Sequence, residues 1–308
     1  MKKTQLLILG YSSFLKRRVI PAIKKMKNIE YCICSKSNKI NLEEKILFKD
    51  YDTALSKTTV DIVYISLINS LHFKYAKKAL TKGLNVIVDK PIAVSLHETK
   101  KLLQIAKKKN LLLSEANLYN YHNVFDKIIK LCKGVENISH IQSNFNVPLI
   151  KNPKEIFNIK GDCVMDMGPY AASIIRLFTD NKIKKLKVFK EYFKSVDAVK
   201  SFFILAKLKN CTYFGNFGFD KEYVSQITFF TKNKIILSPQ RTFALPSNKK
   251  VTILLKENNK IKKININKDD CIQNFFKRIL YALRNKNFKN FYDNLLNDAI
   301  VREKINSF

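Results

Sequence analysis

The first 120 residues alternate short apolar runs with longer segments in which apolar side chains recur every three or four positions. A short apolar run is typical of a buried strand, and the three-to-four spacing is typical of an amphipathic helix. Because the two alternate with short connections, this part of the chain predicts right-handed crossovers and a doubly wound parallel sheet. The predicted strands cover residues 4–9, 29–34, 60–67, 86–88 and 111–115, and the predicted helices cover residues 14–25, 72–82 and 96–108.

The pattern changes after residue 120. Runs rich in phenylalanine, isoleucine, valine and tyrosine follow one another with few helices between them, which predicts a large open antiparallel or mixed sheet. We therefore expect an α/β protein with a parallel-sheet domain at 1–118 and an α+β domain at 119–308; whether the last helices pack on the first domain stays open. Strands are predicted at 138–147, 186–193, 201–208, 212–219, 227–230, 235–237 and 251–255, and helices at 124–133, 164–178, 271–284 and 290–304.

Length and composition agree with two globular domains. The chain has 308 residues and is 46% hydrophobic, enough for two ordinary cores. Its six cysteines lack paired CxxC spacing, so we interpret them as free thiols that pack in the interior, and no metal site is predicted. No apolar run is long enough to span a membrane, and the basic start lacks a cleavage site, so the cytosol is the expected compartment.

The formal net charge of +32 raises the question of nucleic-acid binding. The basic residues are nearly all lysine and are spread along the whole chain, and no helix-turn-helix, zinc-knuckle or RNP-type motif accompanies them. A solvated lysine surface is therefore the favoured interpretation, and we predict neither a nucleic-acid nor a membrane partner. The same field would attract a phosphorylated small substrate.

The first predicted strand ends at Gly10, where a dinucleotide-binding fingerprint would begin. The pattern G-x-G-x-x-G/A is represented here by Gly10-Tyr11-Ser12-Ser13-Phe14-Leu15, so that only its first glycine is kept. That glycine makes the tight turn, and the Ser12 hydroxyl is a possible donor to a phosphate. Taken alone, the segment fits a Rossmann-type cofactor loop and an ordinary strand-to-helix turn about equally well.

The end of the second predicted strand bears on the choice of nicotinamide cofactor. An acidic residue there would bind a ribose 2′-hydroxyl and repel a 2′-phosphate. The segment at 34–39 reads CSKSNK, with no acid but with Ser35 and Lys36 available for a phosphate. The sequence therefore favours NADP(H), and NAD(H) stays possible.

The candidate chemistry begins with Asp89-Lys90-Pro91, which follows an apolar run at 84–88. Ligands of an open α/β sheet bind at the carboxyl ends of its strands, and the proline stiffens the turn beyond the lysine. Lys90 is therefore a candidate site residue. Asp166 and Tyr170, four residues apart on a predicted helix, share one face and could complete a proton-transfer group. The alternative is that Asp166 caps the helix and Tyr170 only packs.

Four motifs together resemble the Gfo/Idh/MocA oxidoreductases, the family of glucose-fructose oxidoreductase and inositol dehydrogenase. Residues 89–91, DKP, are similar to its Glu-Lys-Pro signature, and residues 161–170, GDCVMDMGPY, to its glycine-rich D-x-G-x-H/Y motif. Residues 69–72, NSLH, resemble its N-x-x-H, and residues 115–122, EANLYNYH, resemble its E-[GA]-x-x-Y-R-x-H domain-crossing segment. The motifs occur in the family's order and cover the chain to about residue 180.

The resemblance implies a nicotinamide-dependent oxidoreductase that acts on a cyclic polyol, a sugar or a nucleotide-linked sugar. It implies that Lys90 orients substrate and cofactor, that Tyr170 is the acid or base, and that Asp166 holds the reacting hydroxyls. With the fingerprint segment, the predicted cofactor-binding residues are Gly10, Ser12, Ser13, Phe14, Ser35, Lys36, Leu67, Asn69, His72, Asp89, Lys90 and Asn117. The predicted substrate-binding residues are Lys90, Tyr119, Asp166 and Tyr170.

Four positions depart from the family pattern. Ser12 replaces the second fingerprint glycine, Asp89 replaces glutamate, Asn120 replaces arginine, and Ser173 replaces the later aspartate of the helical motif. These departures bear on cofactor affinity more than on the fold. A protein that uses its cofactor only weakly is therefore one of the hypotheses.

Three hypotheses follow, in order of preference. The first is an NADP(H)-dependent oxidoreductase that transfers hydride to or from a nucleotide-linked or phosphorylated hexose, with a homodimer or homotetramer formed through the second sheet by analogy with the family. The second is a catalytically weakened member that binds a sugar or a protein partner without turnover. The third is nucleic-acid binding through the basic surface. We interpret His97 and His140 as surface or packing residues and expect His122 to brace the domain junction.

Overall fold

Among the described residues of the amino-terminal unit, six parallel strands form a sheet in the order β3-β2-β1-β4-β5-β6. This is the strand order of a doubly wound dinucleotide-binding sheet, in which the strand order reverses beside β1. The fold class predicted for this half is therefore confirmed. The strands are β1 (Thr4–Leu9), β2 (Ile29–Cys34), β3 (Ile46–Phe48), β4 (Ile62–Ile65), β5 (Asn85–Val88) and β6 (Leu113–Glu115).

The computed structural model describes residues 3–36, 46–148, 161–179 and 181–308. The chain divides into two compact units, one made of Met1–Asn117 with Ile272–Leu296 and the other of Leu118–Cys271 with Asn297–Phe308. Part of the carboxyl-terminal helical region therefore belongs to the amino-terminal unit. Among the described residues, no helix is both long enough and apolar enough to cross a membrane.

The strands of the first unit are continuous apolar runs because both faces of a parallel sheet are covered. Leu7, Ile8 and Leu9 in β1 are all fully buried, as are the four residues of β4. A π-helical turn, Leu15–Val19, leads into α1 (Ile20–Lys24), and the other helices of this unit are α2 (Tyr51–Lys57), α3 (Asn69–Thr81), α4 (Leu96–Lys109) and α7 (Cys271–Asn285). Helix α8 (Lys289–Asn306) begins in this unit, and its residues from Asn297 onward belong to the second.

The second unit is built on a sheet of eight described strands in the order β14-β13-β12-β11-β7-β10-β9-β8. Only the central β7–β10 pair is parallel, so the sheet is mixed, as predicted. Its strands are β7 (His140–Asn146), β8 (Ile183–Tyr192), β9 (Val199–Leu208), β10 (Thr212–Gly218), β11 (Val224–Phe230), β12 (Lys234–Leu237), β13 (Val251–Glu257) and β14 (Lys260–Ile266). Helices α5 (Val124–Leu131) and α6 (Cys163–Phe178) belong to the same unit.

Side chains alternate along these strands, and one face of the sheet forms the core. In β9, Phe202, Ile204 and Ala206 are fully buried, whereas Leu205 between them is exposed. The buried face packs with α5 and α6, whose Phe125 and Phe178 rings lie 5.6 Å apart. The period of two therefore places one apolar set in the core and leaves a second set on the outer face.

Three elements were missed by the sequence analysis. Strand β3 and helix α2 lie between the second and third predicted strands, and β14 lies on the edge of the second sheet. Strand β3 has three residues, too few to show a period, and β14 alternates isoleucine with lysine and asparagine at an exposed edge. Short or edge strands bury little apolar surface, so their sequence pattern is weak.

A buried ion pair ties the end of α6 to α8 within the second unit. Arg176 Nε donates to Asp298 Oδ1 at 2.7 Å, and Arg176 Nη2 donates to Asp298 Oδ2 at 3.1 Å. The two side chains are only 13% and 8% exposed. Because the pair is bidentate and shielded from water, removal of either partner would leave a charge without compensation.

Replacement of Asp298 by alanine should therefore lower the free energy of unfolding by about 3 kcal/mol, because the Arg176 guanidinium stays buried without its partner. Urea unfolding followed by circular dichroism measures the effect. The matched control is Lys78→Ala, which breaks an ion pair with Asp52 whose side chains are 41% and 51% exposed, and should cost less than about 1 kcal/mol. Equal losses in the two variants would contradict the assignment.

Candidate active site

Gly10 closes the turn at the carboxyl end of β1. Its φ is +98°, its N–H donates to Cys34 O at 2.8 Å, and a Cβ at this position would lie 2.1 Å from Ser66 O. No side chain fits there, because the backbone oxygen at the end of β4 occupies the space. The first fingerprint glycine is thus required by a close approach of two strand ends.

The next residues of this loop differ in their contacts. Ser12 Oγ accepts from the Leu15 N–H at 3.1 Å and lies 2.9 Å from Ser66 Oγ. Ser13 is exposed, and its carbonyl accepts from Arg17 Nε at 3.2 Å. Phe14 is exposed and stands just before the π-helical turn. The Ser12 hydroxyl therefore caps the turn in the way that a side chain caps a helix.

At the end of β2, Ser35 is buried and Lys36 is exposed. The Ser35 N–H donates to Phe48 O at 3.0 Å, and Lys36 Nζ lies 5.2 Å from the centroid of the Tyr51 ring. The rest of the predicted phosphate-binding segment, residues 37–39, lies outside the described residues.

Sequence reasoning missed an acid near this strand end. Asp50 caps α2 by accepting from the Thr53 N–H at 2.8 Å. That hydrogen bond, with the positive charge of Lys36 as a smaller contribution, lowers the pKa of Asp50. Asp50 lies 14 positions after Lys36 in the chain, beyond β3, so a search confined to the end of the second strand could not find it.

Asp89 follows β5, and its carboxyl group is turned toward the neighbouring strand. Tyr64 Oη donates to Asp89 Oδ1 and Ser66 Oγ donates to Asp89 Oδ2, each at 2.6 Å. Burial raises the pKa of Asp89, while the hydrogen bonds from Ser66 and Tyr64 and the charges of His72 and Lys90 oppose the rise. Burial, with the charge of Asp89, also raises the pKa of Tyr64. The carboxyl group is therefore held between β4 and β5.

Lys90 lies in a turn that is fixed from two sides. The Lys90–Pro91 peptide bond is cis, and the Ile92 N–H donates to Glu115 Oε2 at 2.7 Å. His72 Nδ1 lies 2.7 Å from Pro91 O on the other side. A buried carboxylate on β6 and a buried imidazole on α3 thus position the turn that carries the lysine.

His72 links this turn to the start of α3. Its Nε2 lies 3.0 Å from Leu67 O, so both ring nitrogens face carbonyl oxygens, and the ring is 1% exposed. Both contacts are hydrogen bonds only when both nitrogens carry a proton. Asn69 begins α3 and is half-buried, and Asn117 is buried next to the end of β6. His72, Leu67 and Asn69 therefore belong to one packed connection.

In the second unit, Asp166 and Tyr170 lie one turn apart on α6, and both are half-buried. The cap of this helix is Asp162, whose carboxylate accepts from the Met165 N–H at 2.9 Å. The interpretation of Asp166 as the helix cap is therefore wrong. Asp166 and Tyr170 share a face, as their spacing predicts.

Aromatic rings fix the orientation of Tyr170. Its ring centroid lies 5.0 Å from that of Phe145, 5.1 Å from that of Phe243 and 5.5 Å from that of Tyr119. Contacts of this kind hold a phenol ring in one position at little entropic cost. Neither Phe145 nor Phe243 stands in a recognisable motif, so this cluster could not be predicted from the sequence.

Tyr119 is 4% exposed, and its hydroxyl lies 2.5 Å from Ser173 Oγ. Ser173 Oγ is also within hydrogen-bond distance of Pro169 O, at 2.8 Å. Burial raises the pKa of Tyr119. The serine that replaces the family's aspartate therefore meets a buried tyrosine, and a direct contact of Tyr119 with substrate stays a prediction.

The remaining histidines and cysteines have packing roles. His122 is buried and its Nδ1 accepts from the Val124 N–H at 3.1 Å; burial lowers its pKa against the opposing charge of Asp269. His140 Nδ1 lies 2.8 Å from Thr212 Oγ1. None of the six cysteines, all of which lie in the described part of the chain, forms a disulfide. Burial raises the pKa of Cys34 to about 12 and of Cys132 to about 11, which disfavours the reactive thiolates.

Within the amino-terminal unit, the structure brings Gly10, Ser12, Asp89 and Lys90 to one edge of the sheet, at the carboxyl ends of its strands. The connecting residue, Ser66, was missed. The signal for it was present: β4 and the residue after it read IVYIS, and two hydroxyl side chains at alternate positions lie on one face of a strand.

This combination of a doubly wound sheet, a tight glycine turn and a lysine at a strand end is that of a dinucleotide-binding oxidoreductase domain. Residues 7–117 match the family model described as the oxidoreductase family with an NAD-binding Rossmann fold, GFO_IDH_MocA. The resemblance drawn from the motifs is thereby confirmed for this part of the chain.

Curated relatives include sugar oxidoreductases. The chain is 28% identical over 181 residues to D-xylose 1-dehydrogenase (NADP(+)) 2 from Haloferax volcanii, a match covering 56% of each chain. It is 26% identical over 189 residues to dTDP-3,4-didehydro-2,6-dideoxy-alpha-D-glucose 3-reductase from Saccharopolyspora spinosa, covering 58% of this chain and 56% of the relative. The chain thus spans little more than half the length of the curated relatives it matches.

Solved structures show the same fold along the whole chain. A 3-ketoreductase from Actinomadura kijaniata, crystallised with TDP-benzene and NADP, superposes with a TM-score of 0.90 at 17% identity, covering 99% of this chain and 98% of that one. An aldose-aldose oxidoreductase from Caulobacter crescentus superposes with a TM-score of 0.84 at 15% identity, covering 99% and 97%. At these identities the likeness concerns the fold.

Replacement of Gly10 by alanine should lower the free energy of unfolding by at least about 3 kcal/mol, because the new Cβ meets the Ser66 carbonyl oxygen. The control is Gly83→Ala, at a φ of +84° with no atom within 4 Å of a Cβ. It carries the same backbone strain without the clash and should cost about 1–2 kcal/mol. If urea unfolding gave equal losses, strain alone would explain the glycine at position 10.

Proposed function

We propose that this protein is an NADP(H)-dependent oxidoreductase that transfers hydride between the nicotinamide and a hydroxyl or carbonyl carbon of a sugar. The substrate class we propose is a nucleotide-linked or phosphorylated hexose, of the kind used in the synthesis of surface-glycan sugars. The observation that carries the proposal is the arrangement at the carboxyl edge of the parallel sheet, where the Gly10 turn, Ser66 and the Asp89–Lys90 turn meet.

The cofactor supplies or accepts the hydride, and the chain's own residues handle the oxygen and its proton. In the direction of reduction, the Lys90 ammonium polarises the carbonyl oxygen while Tyr170 donates its phenolic proton to that oxygen. Asp166, one turn before Tyr170 on α6, orients a neighbouring hydroxyl of the sugar. Oxidation of the alcohol reverses each transfer.

The choice of a nucleotide-linked or phosphorylated sugar is supported by charge and by the relatives. A net charge of +32 favours anionic ligands. Relatives from three actinomycetes are reductases of a dTDP-linked deoxysugar. The Actinomadura kijaniata ketoreductase was also crystallised as a lysine-to-alanine and as a tyrosine-to-phenylalanine variant, each with TDP-benzene and NADP.

Two residues support NADP(H) as the preferred cofactor. The exposed Lys36 ammonium and the buried Ser35 follow β2, where the ribose of an adenine dinucleotide is held in this fold. Asp50 lies in the same region and caps α2; its carboxylate keeps its negative charge, which acts against a 2′-phosphate. The preference for NADP(H) is therefore supported by Ser35 and Lys36 at the end of β2 itself.

The first test is a titration with NADPH and NADH, followed by nicotinamide fluorescence. We expect NADPH to bind more tightly than NADH. Lys36→Ala should reduce the difference in affinity between the two cofactors, because it removes a charge beside the 2′-phosphate. Lys82→Ala, at the exposed end of α3, is the control for loss of a positive charge elsewhere. Binding of neither cofactor would favour the weakened, non-enzymatic member of the family.

The second test measures turnover on dTDP-linked keto sugars. Lys90→Ala and Tyr170→Phe should each reduce kcat by a factor of about 10² or more with little change in NADPH affinity, because each removes a group that acts on the reacting oxygen. Tyr223→Phe is the control, since that tyrosine is exposed in the second unit. Unchanged turnover in the first two variants would remove their proposed roles.

We also propose that the outer face of the second sheet is covered by a second copy of the chain. Phe189 pairs with Phe203 and Phe214 pairs with Leu205 in the strand register, so these side chains share the face opposite the core. Phe189 is 61% exposed and Leu205 is 51% exposed. An open apolar sheet face of this kind is commonly buried in self-association.

Leu205→Glu should shift the protein from a dimer or tetramer to a monomer, because a charge would be buried at the contact. Light scattering after gel filtration measures the mass. Tyr281→Ser is the matched control, because Tyr281 is 66% exposed on α7 in the other unit. A monomeric unmodified protein would contradict the proposed contact.

A further inference from the structure

A row of hydroxyl groups joins the glycine turn to the carboxyl group of Asp89, a half-buried residue. Ser12 Oγ lies 2.9 Å from Ser66 Oγ, and Ser66 Oγ lies 2.6 Å from Asp89 Oδ2. At one end, the Leu15 N–H donates to Ser12 Oγ, and at the other end the Tyr64 hydroxyl donates to Asp89 Oδ1. All five residues belong to the amino-terminal unit.

The number of available protons fixes the direction of each hydrogen bond. Each serine hydroxyl has one proton to donate. When Asp89 is ionised, Ser66 gives its proton to the carboxylate, so the contact between the serines requires Ser12 to donate to Ser66. The Ser12 proton is then held inside the protein, and its oxygen already accepts from Leu15. In this state Ser12 has no proton for a phosphate, contrary to the sequence-based expectation.

The direction reverses when Asp89 is protonated. The acid then donates to Ser66 Oγ, Ser66 donates to Ser12 Oγ, and Tyr64 still donates to the other oxygen of Asp89. Ser12 now accepts two hydrogen bonds and has its own proton free. No heavy atom has to move for this exchange, because every pair is already at hydrogen-bond distance.

We propose that Asp89, Ser66 and Ser12 form a proton-linked relay, in which uptake of one proton by Asp89 frees the Ser12 hydroxyl to donate to a phosphate of the bound cofactor. The inference rests on the proposed function, in that the loop after Gly10 holds the pyrophosphate of a nicotinamide dinucleotide. Asp89 and Ser66 are positioning residues in this scheme, since they act through Ser12.

The electrostatics of the site favour this coupling. Burial already raises the pKa of Asp89, which favours its neutral form. An anion at the Ser12 loop would raise it further, because like charges disfavour ionisation. The groups that face Asp89 are Tyr64 on β4, His72 on α3 and Lys90 in its own turn; the positive charges of His72 and Lys90 act in the opposite direction.

Because of linkage, the coupling can be measured both as proton uptake on cofactor binding and as a dependence of cofactor affinity on pH. If cofactor binding favours the protonated form of Asp89, binding takes up as much as one proton, and affinity falls as pH rises through the titration of Asp89. The slope for one proton is at most about tenfold in Kd per pH unit. Loss of one hydrogen bond to a charged phosphate corresponds to a difference of about ten- to hundredfold between the cofactor Kd at low pH and the cofactor Kd at high pH.

Asp89→Asn tests the relay directly, because its amide imitates the protonated acid. The amide nitrogen donates to Ser66 and the amide oxygen accepts from Tyr64, so Ser12 stays free to donate at every pH. We expect this variant to bind with the low-pH affinity of the unmodified protein over the whole range. Retention of affinity distinguishes it from a variant that merely loses structure.

The experiment determines Kd for NADPH and for NADH between about pH 6 and 9 and measures proton uptake by calorimetry in two buffers of different ionisation enthalpy. NADH lacks the 2′-phosphate, which itself titrates near pH 6, so a slope common to both cofactors belongs to the protein. The unmodified protein should take up a proton and lose affinity with rising pH, whereas Asp89→Asn and Ser66→Ala should show neither effect.

Two further variants separate the relay from its surroundings. Ser12→Ala should bind the cofactor with the weaker, high-pH affinity at every pH. Tyr64→Phe should keep the dependence of affinity on pH but move its midpoint to higher pH, because the variant removes a donor to the Asp89 carboxylate. A slope that persists in Asp89→Asn would come from another titrating group and would overturn the relay while the proposed function stands. Absence of binding in every variant and at every pH would overturn both.

Discussion

The hydrogen-bonded carboxyl group of the half-buried Asp89 is the interaction on which the candidate site depends. It accepts hydrogen bonds from two side chains of the neighbouring strand region, Tyr64 and Ser66, and Ser66 in turn contacts the serine of the glycine turn. Burial of this carboxyl group is tolerated because both of its oxygens are satisfied. One polar group therefore fixes the ends of β1, β4 and β5 relative to one another and sets the position from which Lys90 extends.

The same design recurs around the other proposed catalytic residues. Glu115 and His72 hold the turn beyond Lys90, each through a backbone atom of that turn. In the second unit, three aromatic rings orient Tyr170, and a buried ion pair ties the end of its helix to α8. The proposed catalytic residues of each unit are thus placed by partners that are mostly buried, which favours a rigid site.

The departures from the family pattern gain a physical meaning when they are considered together. Ser12 replaces a glycine and Asp89 replaces a glutamate, and Ser66 makes hydrogen-bond contacts with both. The shorter acid reaches Ser66, and the added hydroxyl meets Ser66 from the other side. Considered one at a time, both substitutions look like losses from the cofactor site; in the folded unit they are parts of one network.

The sequence by itself determined the alternation of strands and helices, the bounds of β1 and β2, the mixed second sheet and the positions of Gly10, Lys90 and Tyr170, because buried strands, sharp turns and helix faces have short-range signatures. Short β3 and the lysine-rich edge strand β14 left too little apolar pattern to be found. The structure assigns the cap of α6 to Asp162 rather than Asp166, through a local contact with Met165. Only the tertiary structure decided that Ser66 joins Ser12 to Asp89. Ser66 and Asp89 are 23 positions apart in the chain, and Ser12 and Ser66 are 54 positions apart. Whether such residues meet depends on which strands become neighbours, and the local sequence does not encode that pairing.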